Sequence, residues 1–184
     1  MITRIGTASY GRRTVVEQLK PTRGGFLRPF GCGWFIREYL LGKGPFDSQT
    51  INPQVGAPQS DIFHQYKMAL IKATALDRAT RTEEKQARKE NRAINPDNIE
   101  ELAGKYASRL PYKASGCRYH SFVVYFSNLQ RLGWVEFTGR EEPSEFQEHY
   151  GYGQPKRYYC LTAAGQTASD AAWSNPLSAL YNGK

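Results

Sequence analysis

The chain has 184 residues, with 25 basic and 17 acidic side chains and a formal net charge of +8. Its hydrophobic content of 40%, with 13% aromatic residues, argues against a disordered chain and is sufficient for a packed core. No run approaches the roughly 20 apolar residues that cross a membrane, so we expect a cytoplasmic protein with no membrane partner. The positive charge favours a polyanion partner, most simply nucleic acid.

Cysteine and histidine show none of the spacings that bind metals. The three cysteines are odd in number and form no CxxC pair, and the three histidines are scattered. No P-loop, GxGxxG or Ser/His/Asp arrangement is present. We therefore expect no metal, no cofactor and no enzymatic activity.

The N-terminal region, residues 1–31, is rich in glycine and arginine and has no regular period. It is predicted to be a basic arm in which Arg12 and Arg13 follow phosphates or enter a minor groove. A surface extension packed on the following domain is the alternative. Next, Trp34 to Leu41 is predicted to be a short helix that ends at Gly42, and residues 46–60 are predicted to be a loop.

A long helix is predicted from Asp61 to Arg92, capped by Ser60 or Asp61. Its apolar residues recur at helical spacing: Ile62, Phe63, Tyr66, Leu70, Ala73 and Leu76. Beyond Leu76 this apolar stripe stops, so the first half is predicted to be buried and the second half solvated.

Two favourable i,i+4 ion pairs are expected in the second half of this helix, Asp77 with Arg81 and Glu84 with Arg88. The plainer interpretation of the second half is an exposed charged face. The alternative is that some of its cations contact a nucleic-acid backbone or an acidic partner: Lys85, Arg88, Lys89 and Arg92.

Asn95 and Pro96 begin the next predicted helix, with Asn at the cap and Pro at the first position. It runs to Leu110, where Pro111 stops it. Its predicted buried face comprises Ile99, Leu102, Ala103 and Tyr106. Residues 111–118 are predicted to form the turn before the following helix.

The stretch from Tyr119 to Gly165 predicts a helix followed by a two-stranded hairpin. Phe122, Phe126 and Leu129 give Tyr119 to Leu132 one buried face, and Gly133 can end it in the left-handed conformation. Two strands are predicted, Trp134 to Thr138 and Lys156 to Leu161. Thr162 is then predicted to cap a closing helix that begins AAGQTASDAAW.

This stretch resembles the recognition helix and wing of winged helix-turn-helix proteins, nearest to the PadR and MarR types of transcriptional regulator, over about residues 97–170. The sequence after the helix reads LGWV, then GQPKRYYCLTAAG. Eight residues fall where PadR-type wings carry a Gly-x-Pro…Tyr-Tyr-x-Leu-Thr-x-x-Gly run: Gly153, Pro155, Arg157, Tyr158, Tyr159, Leu161, Thr162 and Gly165.

The resemblance implies an α+β fold, mostly α, in which a winged helix-turn-helix carries a basic N-terminal extension and an inserted long helix. We expect an arm at 1–31, a winged-helix domain at 32–175 with a helical insertion at about 59–94, and a tail at 176–184. Trp34 to Leu41 is taken as its first helix and Pro96 to Leu110 as its second. The alternative takes the 61–92 helix as the first.

The resemblance also implies a DNA-binding function, most simply transcription regulation. In such proteins the recognition helix reads the major groove and the wing touches the backbone. Asn128 is expected to read adenine, and Arg118 or Arg131 to bond guanine or phosphate. The full set of predicted DNA contacts is Arg118, Tyr119, His120, Ser121, Asn128, Arg131, Lys105, Arg109, Lys113, Lys156, Arg157, Arg12 and Arg13.

Two features favour a different partner. Val123 and Val124 are expected to face outward, at positions where a reading helix commonly carries polar side chains, but they offer no hydrogen bonds. Residues 136–153 hold five glutamates against Arg140 alone, so phosphate should repel the wing tip unless it points away. The partners expected are therefore double-stranded DNA first, and protein or RNA within a larger assembly as the alternative. A homodimer remains open, although the C-terminal tail is short for a dimerisation helix.

Overall fold

Helices make up most of the fold in the computed structural model, and one small antiparallel sheet completes it. The structure describes residues 30–44, 50–143 and 154–182. The predicted α+β class, mostly α, is confirmed. The helices are α1 (Cys32–Leu40), α2 (Gln59–Glu90), α3 (Pro96–Arg109), α4 (Tyr119–Arg131), α5 (Ala163–Thr167), α6 (Asp170–Ser174) and α7 (Pro176–Asn182). The strands are β1 (Ala57–Pro58), β2 (Val135–Glu142) and β3 (Lys156–Leu161).

The described residues form two compact units. The first, called the hairpin unit below, holds Phe30 and residues 67–117, with α3 and most of α2. The second, called the sheet unit, holds 31–44, 50–66, 118–143 and 154–182. Long helix α2 contributes residues to both units. No helix within the described residues is long and apolar enough to cross a membrane.

The sheet has the order β1-β3-β2, with β3 in the centre and both neighbours antiparallel to it. Ala57 pairs with Tyr159 on one side, and Phe137 pairs with Tyr159 on the other. The predicted loop at 46–60 is wrong over its last four residues, because residues 57–58 form β1 and α2 already begins at Gln59. Ser60 and Asp61 therefore lie in the first turn of α2, instead of capping it.

The core of the sheet unit is rich in aromatic side chains and is formed largely by α1, the start of α2 and α4. α1 buries Phe35 and Ile36, the start of α2 buries Ile62, and α4 buries Phe126 and Leu129. The Phe35 ring lies 5.3 Å from that of Tyr66, centroid to centroid. The buried face predicted for α4 is confirmed.

Gly165 lies where β3, the start of β2 and the closing helices meet. The Thr162 side chain accepts a hydrogen bond from the Gly165 amide at 3.1 Å, which confirms the predicted cap of α5. The Gly165 carbonyl accepts a hydrogen bond of 2.9 Å from the buried Trp173 indole. A β-carbon at Gly165 would overlap the backbone carbonyl of Trp134, so this junction requires glycine.

The closing helix is shorter than predicted. It ends at Thr167, and a new helix begins at Asp170 because the Ser169 side chain accepts a hydrogen bond from the Ala172 amide. This break brings Trp173 against Trp134, with ring centroids 4.9 Å apart. α6 lies against α1, and α7 lies against α4.

In the hairpin unit, the second half of α2 has one buried face, although the sequence predicts that the whole second half is solvated. Ala75, Ala79, Glu83 and Ala87 recur every four residues and are all buried. The prediction missed this face because alanine is too small to register as an apolar stripe and Glu83 is charged.

Glu83 is fully buried and holds the turn between α2 and α3. Its carboxylate accepts hydrogen bonds from the Arg92 guanidinium, the Asn98 side chain and, at 2.8 Å, the Asn95 amide. These donors favour the ionised form, and the Arg92 hydrogen bond is the largest cause that lowers the Glu83 pKa to about 2. Arg92 also pairs with Glu90.

Three α-helices are followed by a residue in the left-handed conformation. Gly42 (φ 74°) follows α1, where the Lys43 amide donates to the Glu38 carbonyl at 2.8 Å. Gly133 (φ 68°) follows α4, and the Trp134 amide bonds the Leu129 carbonyl at 3.0 Å, as the sequence predicts. Asn91 (φ 49°) does the same after α2, where the Arg92 amide bonds the Ala87 carbonyl at 3.0 Å. Asparagine tolerates this conformation better than most residues, so α2 ends two residues before the predicted boundary.

The predicted cap of α3 is confirmed, since the Asn95 side chain accepts a hydrogen bond from the Asp97 amide at 3.0 Å. The burial of α3 and the unit to which it belongs differ from the prediction. Its apolar row is only half-buried, because within the described residues it meets α2 on one side, where the Tyr106 and Thr82 hydroxyls lie 3.2 Å apart. α3 also groups with the hairpin unit, whereas α4 groups with the sheet unit. The 111–118 turn contains a short 3-10 helix, Tyr112–Ser115.

Candidate nucleic-acid interface

α4 presents one continuous exposed row of side chains on the side opposite its buried face. The row comprises His120, Val124, Ser127 and Arg131, all exposed and spaced by four, three and four residues. At 100° per residue these positions fall within a narrow sector of the helix. We call them the outer row. Ser121, also exposed, and the half-buried Asn128 flank it.

A chain of aromatic contacts fixes the rotation of α4. Phe63 of α2 meets Phe122 with ring centroids 5.1 Å apart, and Phe122 meets Phe126 at 5.9 Å. Phe126 meets Tyr159 of β3 edge-on at 5.0 Å. Because these rings occupy the inner side of α4, the outer row must face away from the core of its unit.

The start of α4 combines a cation with a packed tyrosine. Arg118 stands at the cap position in extended conformation, is exposed and makes no side-chain cap hydrogen bond. Tyr119 rests edge-on against Phe63 at 5.2 Å yet remains 47% exposed. Burial of its ring raises the Tyr119 pKa. A helix N-terminus favours anions, so Arg118 and the first amides of α4 suit a phosphate.

The outer row is less polar than that of an ordinary reading helix. Val124, in its middle, is 51% exposed and offers only methyl groups. The Ser127 hydroxyl donates to the Val123 carbonyl at 3.0 Å, so its proton is used within the helix. Val123 itself is half-buried, which corrects the expectation that it faces outward.

The two arginines of strands β2 and β3 form ion pairs with glutamates of the same sheet. Arg157 pairs with Glu141 at 2.7 Å across the strands, and Arg140 pairs with Glu142. The Tyr158 hydroxyl donates to Glu142 at 2.6 Å and is the largest cause of a lowered Glu142 pKa.

Exposed ion pairs of this kind are worth about 0–1 kcal/mol each. A phosphate can therefore compete for these arginines, but it gains less from them than from unpaired cations. Lys156 is half-buried and stands opposite Glu142 in the strand register.

The structure places eight of the predicted contact residues in the sheet unit. These are Arg118, Tyr119, His120, Ser121, Asn128, Arg131, Lys156 and Arg157. Lys105, Arg109 and Lys113 are exposed but belong to the hairpin unit. Arg12 and Arg13 lie outside the described residues, as do Glu145 and Glu148 of the predicted wing.

Charge is unevenly divided between the units. The described residues of the sheet unit carry seven basic and six acidic side chains, a net charge of +1. Those of the hairpin unit carry eleven basic and seven acidic side chains, a net charge of +4. The surface around α4 therefore offers few phosphate contacts by itself.

Within the same described stretches, no group of three or more His, Cys, Asp or Glu side chains could hold a metal ion. All three cysteines lie in these stretches; they are half-buried and form no disulfide.

Comparison of the chain with protein-family models, with curated proteins and with solved structures gives no match.

Proposed function

We propose that the sheet unit is a winged helix. Its elements run α1, β1, the first turns of α2, α4, β2 and β3, with β1 and β2 on either side of β3. A helix, a small strand, two further helices and a two-stranded wing agree with the resemblance drawn from the sequence. In this assignment residues 59–66 supply the second helix, and residues 67–117 are the insertion. This replaces α3 as the second helix.

We propose further that this winged helix binds double-stranded DNA and that α4 is its reading helix. The observation that carries the proposal is the outer row, four exposed side chains on the face opposite an aromatic-anchored inner face. Arg131 and Asn128 are the candidates for base-edge hydrogen bonds, and Val124 for a thymine methyl. Arg118 and Lys156 are the candidates for phosphate. Transcription regulation is the simplest role for such a protein.

A second candidate function is a winged-helix module that docks on protein or RNA. The exposed apolar side chains Tyr119, Val124 and Phe137 favour it, as do the internally paired arginines of the wing. Phe137 is 42% exposed at the surface of β2. Such side chains suit an apolar or stacked contact more than a phosphate.

Salt dependence separates the two candidates. Binding of the full chain to random-sequence duplex DNA should be measurable at low salt by fluorescence anisotropy. The logarithm of the association constant should then fall linearly with the logarithm of salt concentration, by about 0.9 for each phosphate contact. No binding at low salt, or binding that salt leaves unchanged, would refute the DNA proposal and favour the second candidate.

Sequence discrimination tests α4 itself. Arg131→Ala and Asn128→Ala should each reduce the preference for a selected site over random duplex by roughly 5- to 150-fold, equivalent to about 1–3 kcal/mol per lost base contact. Gln130→Ala is the matched control, since Gln130 is exposed but lies outside the outer row. Arg12→Ala and Lys113→Ala should weaken all sequences alike. Equal discrimination by the Arg131, Asn128 and Gln130 variants would remove α4 from the reading role.

A further inference from the structure

The outward face of α2 in the hairpin unit is a row of cations. Arg81, Lys85, Arg88 and Lys89 are all exposed and fall within about 100° of the helix circumference. We call them the cationic row. From position 78 to the end of α2, every residue in this sector is arginine or lysine.

The opposite face of α2 sets this direction. Ala79, Glu83 and Ala87 are buried at four-residue spacing, and their mean direction is roughly 175° around the helix from that of the cationic row. The Glu83 cluster ties α2 to the turn and to Asn98 of α3. A helix held on that side cannot rotate its cations inward, so the row is a fixed feature of the hairpin unit.

The neighbouring carboxylates leave most of the row unpaired. Glu83 and Glu90 are engaged by Arg92, which removes Arg92 from the set of cations that the sequence offers for contact. Asp77 pairs with Arg81 at 3.0 Å, as predicted. The predicted pair of Glu84 with Arg88 is not formed.

Lys85, Arg88 and Lys89 therefore make no ion pair within the described part of the chain. The Asp77–Arg81 pair is an exposed i,i+4 pair, a weak type that a phosphate can displace.

The dimensions of the row fit a nucleic-acid backbone. Arg81 to Lys89 spans about 12 Å of helix axis at 1.5 Å per residue. One strand of duplex DNA presents a phosphate about every 3.4 Å along its axis, so three to four phosphates fall within that length. The row contains no aromatic side chain for stacking on a single strand and no aliphatic side chain for an apolar contact with protein.

We propose that the cationic row binds the phosphate backbone of duplex DNA without regard to base sequence. The proposal deepens the DNA-binding function and rests on it in part. It assigns recognition of base sequence to α4 in the sheet unit and sequence-independent phosphate contacts to α2 in the hairpin unit. These contacts would add to the few that the nearly neutral sheet unit can make.

The test is the salt dependence of the triple variant Lys85→Gln, Arg88→Gln, Lys89→Gln in the full chain, measured on random-sequence duplex. Glutamine keeps helix propensity close to that of lysine and arginine. The slope of log K against log salt should become shallower by about 2.7, or 0.9 for each lost contact. The ratio of selected-site to random-duplex affinity should stay the same.

Two controls isolate the charge of the row. The triple variant Lys85→Arg, Arg88→Lys, Lys89→Arg keeps all three charges and should retain the original slope. Lys43→Gln removes one exposed charge that is in neither the cationic row nor the proposed α4 contacts, and it should leave the slope unchanged.

The outcomes separate the two proposals. A wild-type chain that binds duplex while the glutamine variant keeps its slope would overturn the role of the row and leave the reading role of α4 intact. A shallower slope, together with unchanged discrimination in the Arg131 and Asn128 variants, would support the row and refute reading by α4. A wild-type chain that binds no duplex at low salt would overturn both.

Discussion

Replacing Glu83 with glutamine is expected to lower the melting temperature by roughly 5–10 °C, the scale of a broken buried network. The carboxylate accepts hydrogen bonds from Arg92, Asn95 and Asn98. A glutamine side chain has one acceptor oxygen and turns an NH₂ group towards these donors, which leaves buried polar groups unpaired. Circular dichroism would report the melting, and hydrogen exchange would localise the loss to the turn between α2 and α3.

The same carboxylate predicts how stability depends on pH. The folded-state pKa of Glu83 is about 2, below its ordinary value of 4.5. A lowered carboxyl pKa stabilises the fold fully above the unfolded-state value, and this contribution disappears as pH falls from about 4.5 to about 2. The difference in melting temperature between wild type and Glu83→Gln should therefore be largest near neutral pH and should narrow through that window.

Glu101→Gln is the matched control for Glu83, because it makes the same chemical change on the exposed side of α3. It should shift the melting temperature by little at any pH. If Glu83→Gln and Glu101→Gln melt alike at pH 7, then the buried cluster does not hold the turn.

Gly165→Ala is expected to destabilise the sheet unit by about 3 kcal/mol, at the upper end of the usual cost of overpacking. The new methyl group would overlap the Trp134 backbone carbonyl, which already accepts the Thr162 amide at 3.1 Å. Backbone cannot move aside as a flexible side chain can, so β2 and α5 would have to separate. Tryptophan fluorescence in a denaturant titration would measure the loss, since Trp134 and Trp173 lie beside the site.

The same substitution at Gly104 is expected to raise the stability of the fold. Gly104 lies within α3, and a β-carbon there meets nothing within 4 Å. Alanine is favoured over glycine in a helix by about 1 kcal/mol, so this variant should be slightly more stable than wild type. A Gly165→Ala chain as stable as Gly104→Ala would show that the junction does not need its glycine.

Features set by neighbours in sequence could be predicted, and features set by distant residues could not. The end of α4 at Gly133, the strand Lys156–Leu161 and the caps Asn95 and Thr162 follow from local chemistry. The burial of Glu83 could not be predicted in this way, because its hydrogen-bond donors lie in residues 92–98, after the turn that follows α2. In the sequence Glu83 stands among charged residues and resembles any solvated glutamate.

The candidate site shows the same division. Exposure of His120, Val124 and Arg131 followed from the helical period once Phe122 and Phe126 were assigned to the core. The half-buried state of Val123 and Asn128 depends on neighbouring elements that periodicity does not reveal. Pairing of Arg140 and Arg157 depends on the strand register, which the sequence left open across the loop between β2 and β3.

The two edges of the small sheet have their own consequence. β1 is only two residues long, and one of them is Pro58, which has no amide proton to offer a further strand. β2, on the other edge, is interrupted by an irregularity between Phe137 and Glu141, and it carries the exposed charges of Glu136 and Glu141. Such edges resist edge-to-edge aggregation and donated strands, so partners of the sheet unit should be recognised through side chains.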